Sequence, residues 1–312
     1  MEQQQSPEIL APPKAPLPVP ASRPILVLRA VVFSGTVFLW MILLAGLFPH
    51  RWNWLQEPGP PMSLLIYYVC LVGFIGGLSA ASIAFLDGRS FRTLGLWFYP
   101  GWLRETLVGL VYGAAVISLV AALLYATGVA SFSGLLPGVA AAPAAFVRLV
   151  AFLVLAAAFE ELAFRGYAFQ RLVEAIGPFA ATVAASAFFG LAHARNPQAT
   201  LLSTVNIALV GGLLAVAYLR TRGLWLPIGL HFAWNFFQGP VFSFPVSGYR
   251  MHGVGLGTNL AGPLWLTGGG FGPEGSALLT VVAAVAIPVL ALARLPGLAS
   301  SPGADLGVDL RE

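Results

Sequence analysis

The stretch AFLVLAAAFEELAFR, residues 151–165, decides how this chain is read. Ala151 to Phe159 carry no polar side chain, and Glu160, Glu161 and Arg165 then fall within six positions. A run of this kind belongs in a membrane helix, where an ionised side chain costs on the order of 2.5–3.5 kcal/mol even on lenient insertion scales. Three such groups together mark a functional site. Two later apolar stretches each carry a histidine: Phe189-Gly190-Leu191-Ala192-His193 and His231-Phe232-Ala233-Trp234-Asn235. Carboxylates, imidazoles and an amide are the side chains of hydrolytic chemistry.

The rest of the chain agrees with a membrane setting. Of 312 residues, 58% are hydrophobic and 9% charged, and the mean hydropathy is +0.84. These values exclude an ordinary soluble domain. A spanning helix needs about 20 apolar residues, and such stretches occur near 25–48, 64–86, 105–127, 144–164, 179–195, 200–219, 223–243 and 276–294. The expected fold is therefore all-α, a polytopic bundle of about eight transmembrane helices. The fifth helix is short, and Pro227 interrupts the seventh. Residues 1–24, with seven prolines, read as a disordered cytoplasmic tail, residues 25–295 as the helical domain, and residues 296–312 as a flexible second tail.

Cytoplasmic loops retain Lys and Arg. With the N-terminus inside, Lys14, Arg23, Arg29, Arg89, Arg92, Arg104, Arg165, Arg171, Arg220, Arg222, Arg294 and Arg311 fall on the cytoplasmic side, against Arg51, Arg148, Arg195 and Arg250. Both termini are thus expected in the cytoplasm. The same distribution accounts for the pI near 9.5 without a nucleic-acid partner, because no basic block is present. Fifteen arginines against one lysine, with abundant Ala and Gly, point to a GC-rich prokaryote and its cell membrane. Cys70, the single cysteine, reads as a core residue of the second helix and excludes a disulfide framework. Basic and aromatic residues from Arg89 to Trp102 read as a headgroup-level anchor. The loop 248–275 has ten glycines but no phosphate-binding spacing, so it reads as turns ahead of the last helix.

Residues four apart share a helix face, so Glu161 can reach Arg165, while Glu160 lies about 100° around the axis. A turn at Gly177-Pro178 would set Glu160 and His193 level in an antiparallel hairpin, each roughly 22–26 Å from the turn. His231, eight residues past Gly223, would be roughly 12 Å from the surface marked by Arg222. The site should then open toward the cytoplasm or the inner leaflet.

The ordered set Glu160-Glu161-Leu162-Ala163-Phe164-Arg165, Phe189 to His193 and His231 to Asn235 resembles the pattern of the CPBP intramembrane glutamic endopeptidases, which include type II CAAX prenyl endopeptidases and bacterial immunity-associated relatives. The resemblance covers about 146–243, taken as the catalytic core, and implies a conical cavity within the membrane. It implies that Glu160 and His193 hold a water with Glu160 as general base, and that His231 and Asn235 serve the oxyanion. Glu161, Arg165 and Phe189 would give structural support, and no cofactor or metal would be required. The implied partner is a membrane-associated peptide or protein substrate within a lipid bilayer; the oligomeric state is open. Three alternatives stand beside this reading: a zinc hydrolase with Glu160, His193 and His231 as ligands, a transporter, and a non-catalytic immunity or interaction protein.

Overall fold

A computed structural model describes residues 21–48, 60–135, 143–251 and 255–293. The two expected tails fall outside these residues, apart from residues 21–24. All eight apolar stretches are helical. They form α1 (Arg23–Leu47), α2 (Met62–Ala81, with a π turn to Leu86), α3 (Trp102–Ala126), α4 (Pro143–Arg165), α6 (Pro178–His193), α7 (Leu201–Thr221), α8 (Trp225–Phe236, with a π turn to Val241) and α9 (Ala277–Leu292). A further helix, α5 (Tyr167–Ile176), continues α4 after a break at Gly166, and a single helical turn, Leu264–Thr267, precedes α9. Arg23–Leu47, Met62–Leu86, Trp102–Ala126 and Leu201–Thr221 are long and apolar enough to cross a membrane. An antiparallel pair of short strands, β1 (Ala130–Leu135) and β2 (Leu256–Leu260), interrupts the helical fold.

The helices alternate in direction between two ends. Arg23, Arg89, Arg92, Arg104, Arg171, Arg220 and Arg222 gather at one end. The other carries the two strands, Arg195 and Arg250, together with Arg148, which donates to the Pro60 carbonyl. The basic end is tied by charge: Asp87 accepts from Arg29 at 2.7 Å and pairs with Arg171 at 2.6 Å, while Glu174 pairs with Arg89 at 2.5 Å and Arg171 at 2.7 Å. These links join α1, the end of α2 and α5.

Close backbone approach seats α8, the helix that bears His231 and Asn235. A Cβ on Gly109 or Gly113 of α3 would lie 2.2 Å from the carbonyl oxygen of Leu226 or Leu230, and one on Gly229 would lie 2.4 Å from that of Thr106. Small residues at this spacing let two helices meet backbone to backbone. Pro227 does not interrupt α8, contrary to expectation. It lies in the first turn, where a missing N–H breaks no helical hydrogen bond. The aromatic anchor also acts on this helix: Trp225 Nε1 donates to the Trp97 carbonyl at 3.0 Å, and Leu224 N–H donates to Gly95 O at 2.9 Å.

Candidate active site

Helix α4 carries Glu160, Glu161 and Arg165 on its last two turns. The four-residue spacing brings Arg165 Nη1 to 3.1 Å from Glu161 Oε1, and both side chains are almost fully buried. Arg165 also donates to Gly211 O at 2.8 Å and lies 4.6 Å over the Phe189 ring. The pairing expected from sequence is therefore present, but it is incomplete. Glu161 Oε1 also meets His231 Nδ1 at 2.8 Å, so this carboxylate orients an imidazole as well as neutralising Arg165. Periodicity along one helix carries no signal for that bond, because it depends on where α8 docks.

Glu160 points to the other side. Its Oε2 lies 3.8 Å from His193 Nε2 and 3.7 Å from His231 Nε2, and this buried oxygen has no hydrogen-bond partner. His193 sits at the last residue of α6, with Nδ1 at 2.8 Å from the Phe189 carbonyl. A carbonyl can only accept, so Nδ1 carries the proton, and the Nε2 of a neutral ring is left as an acceptor. The Phe189 ring is 4.6 Å from the His193 ring and 6.4 Å from the His231 ring. It lies against both imidazoles.

Glu160 and His193 are level as the hairpin reading requires, with Phe164 against Phe188 and Phe189 in the same antiparallel register. The descending arm is two helices rather than one. A Cβ at Gly166 would sit 2.2 Å from the Leu162 carbonyl oxygen, which makes glycine necessary at the break. Gln170 donates to Thr93 O and Tyr218 Oη, both at 2.8 Å.

Glu160, His193, His231 and Asn235 line one cavity of about 790 Å³. Its lining includes Arg195, Asn196, Ser247 and Tyr249 at the strand-bearing end. Toward the basic end, the fully buried Arg165, Tyr167, Gln170 and Tyr218 close the space beneath the site. This corrects the expected direction of opening. The short distance from His231 to Gly223 is filled with packed side chains, and the cavity reaches the opposite end. At its side, exposed Phe38 and Ile42 of α1 face the opening together with exposed Phe188 and Leu191 of α6, two helices that barely pack on each other.

Sequence reasoning gave Glu274 no role in the site. It lies in the glycine-rich loop that was read as turns, yet it is 2% exposed and lines the same cavity. Burial pushes its carboxyl above the usual glutamate range, opposed by hydrogen bonds from Ser247. The available signal was an acid among apolar residues, the same signal that singled out Glu160. Cys70 is half-buried in α2, packs against the core and does not line the cavity.

Residues 141–237 match the family model of the type II CAAX prenyl endopeptidase Rce1-like proteins. The matched segment is about a third of the chain and is similar to a CAAX protease domain. The match runs from α4 through α8 and contains every residue of the three motifs. No curated protein and no solved structure matches the chain.

Proposed function

We propose that the protein is a membrane-embedded endopeptidase that hydrolyses a peptide bond of a membrane-associated peptide or protein, with Glu160 as general base. The observation that carries this reading is the buried, unpartnered Glu160 Oε2 facing two imidazole Nε2 atoms in one cavity. Glu160 Oε2 and His193 Nε2 are both acceptors, so one water can donate a hydrogen to each and direct a lone pair at a carbonyl carbon. Glu160 takes a proton as the water attacks and returns it to the departing amine.

His231 donates Nδ1–H to Glu161, so a donation from Nε2 to the oxyanion uses a ring carrying both protons. Glu161 opposes that charge, and Arg165 balances Glu161 in turn. Asn235, one turn further along α8, supplies a second donor. Preorganised donors of this kind contribute a few kcal/mol each to the transition state. The likeness of residues 141–237 to a protease family supports hydrolysis over transport or passive immunity.

The basic end is assigned to the cytoplasm by its arginines, which puts both termini there and opens the cavity at the external end and sideways between α1 and α6. An apolar segment of substrate can enter by that side without leaving the bilayer. The test compares membrane peptides from cells carrying wild-type protein with those from cells carrying Glu160→Gln. Intact substrate should accumulate with the variant at equal expression. Identical peptide profiles would refute the assignment.

A further inference from the structure

The cavity contains a second carboxylate that the hydrolytic chemistry leaves without a role. Glu274 is 2% exposed although it sits in a loop, and among the described residues no arginine or lysine pairs with it. Neutral donors hold it instead, among them Ser247 N–H at 2.5 Å and Ser247 Oγ at 3.0 Å on Oε2, and Trp234 Nε1 at 3.3 Å on Oε1, with Gln238 beside them. A buried acid without an arginine or lysine partner is costly. It persists where the surrounding structure determines its place.

That determination is visible on both sides of the residue. Asn206 of α7 donates to the carbonyls of Glu274 and Ser276 at 2.9 and 2.8 Å, and its own oxygen accepts from Thr280 at 2.7 Å. Gly272 holds φ +95°, and a Cβ there would lie 2.1 Å from the Pro245 carbonyl oxygen. The loop therefore delivers the carboxylate to one point.

The groups it holds belong to the site. Trp234 precedes Asn235 and lies one turn past His231 on α8. Ser247 belongs to the segment 246–251 that walls the cavity, and its carbonyl accepts from Asn196 at 3.0 Å, three residues beyond His193. Glu274 thus joins the helix of His231 and Asn235 to the wall beside His193.

We propose that Glu274 is a positioning residue: through Trp234 and Ser247 it sets the spacing between the oxyanion donors on α8 and the water held by Glu160 and His193. The inference rests on the hydrolytic reading above. A displacement of about 1 Å at such a site can cost roughly 100-fold in rate, while the apolar surface that binds substrate is untouched.

The test uses purified full-length protein and the peptide that accumulates in Glu160→Gln membranes. Glu274→Gln should lower kcat by about 10- to 100-fold with KM unchanged. Trp234→Phe and Ser247→Ala, each lacking one side-chain donor, should show smaller losses of the same kind with a melting temperature near wild type. Should Glu274→Gln fail to fold, the two donor variants decide. Wild-type kcat in both donor variants, or in a folded Glu274→Gln, would overturn the inference while inactive Glu160→Gln left the hydrolytic reading standing. A wild-type protein no more active than Glu160→Gln would overturn both.

Discussion

Glu160 and Glu161 are adjacent, chemically identical and differently employed. Glu160 is partly open to the cavity, with 25% of its side chain exposed, whereas Glu161 is sealed at 0% between Arg165 and His231. Glu160→Gln should reduce cleavage by about 10²–10⁴-fold, the usual contribution of a general base, with an unchanged melting temperature. Glu161→Gln should differ in kind: breaking a buried pair costs about 3–5 kcal/mol, and the loss of the His231 anchor should reduce kcat in whatever fraction still folds. Thermal unfolding and turnover measured on the same samples separate the two effects. Glu274 adds a pH signature. Its folded value is raised by burial, so its contribution to stability is full below the ordinary glutamate range and is lost as pH rises through the raised value. That decline in melting temperature should be absent from Glu274→Gln.

At the scale of elements, the site depends on how tightly α8 docks on α3. Gly109, Gly113 and Gly229 permit backbone contact along the turns that precede and carry His231. Gly113→Ala should force the helices apart at Leu230, cost about 1–3 kcal/mol as overpacking does, and move His231 away from Glu161. Melting temperature and kcat should fall together. The same substitution at Gly73, whose Cβ would meet nothing within 4 Å, should leave both near wild type. Equal behaviour of the two variants would show that the α3 contact does not position the site.

For the whole molecule, the informative property is which end the cavity reaches. In a Cys70→Ala background, a membrane-impermeant thiol reagent should modify Arg195→Cys from one side and Leu292→Cys, 82% exposed at the basic end in wild type, from the other. On the proposed topology the first is the external face. Labelling of both from one side would contradict the arrangement of the ends, and a reversed result would invert the topology while keeping the site intact. The zinc alternative is tested on the same purified protein. Among the described residues no three His, Cys, Asp or Glu side chains form a group that could hold a metal ion. Prolonged chelation should leave activity unchanged, and stoichiometric zinc whose removal and return switched activity off and on would transfer Glu160, His193 and His231 to a ligand role.

Membrane class, the helical stretches and the identity of the Glu, His and Asn side chains were legible in the chain because hydropathy and four-residue spacing are local properties. The pairing of Glu161 with Arg165 is likewise local, one turn of one helix, and the level placement of Glu160 and His193 followed from counting residues on either side of Gly177-Pro178. Other features depend on contacts between segments far apart in sequence. The His231 bond to Glu161 spans 70 residues and the Trp234 bond to Glu274 spans 40, and each exists because close glycine contacts or a shaped loop bring its partners together. The direction of opening belongs to the same class. Depth below Gly223 could be counted from sequence, but only the packed layer of Arg165, Tyr167, Gln170 and Tyr218 decided that the nearer end is closed.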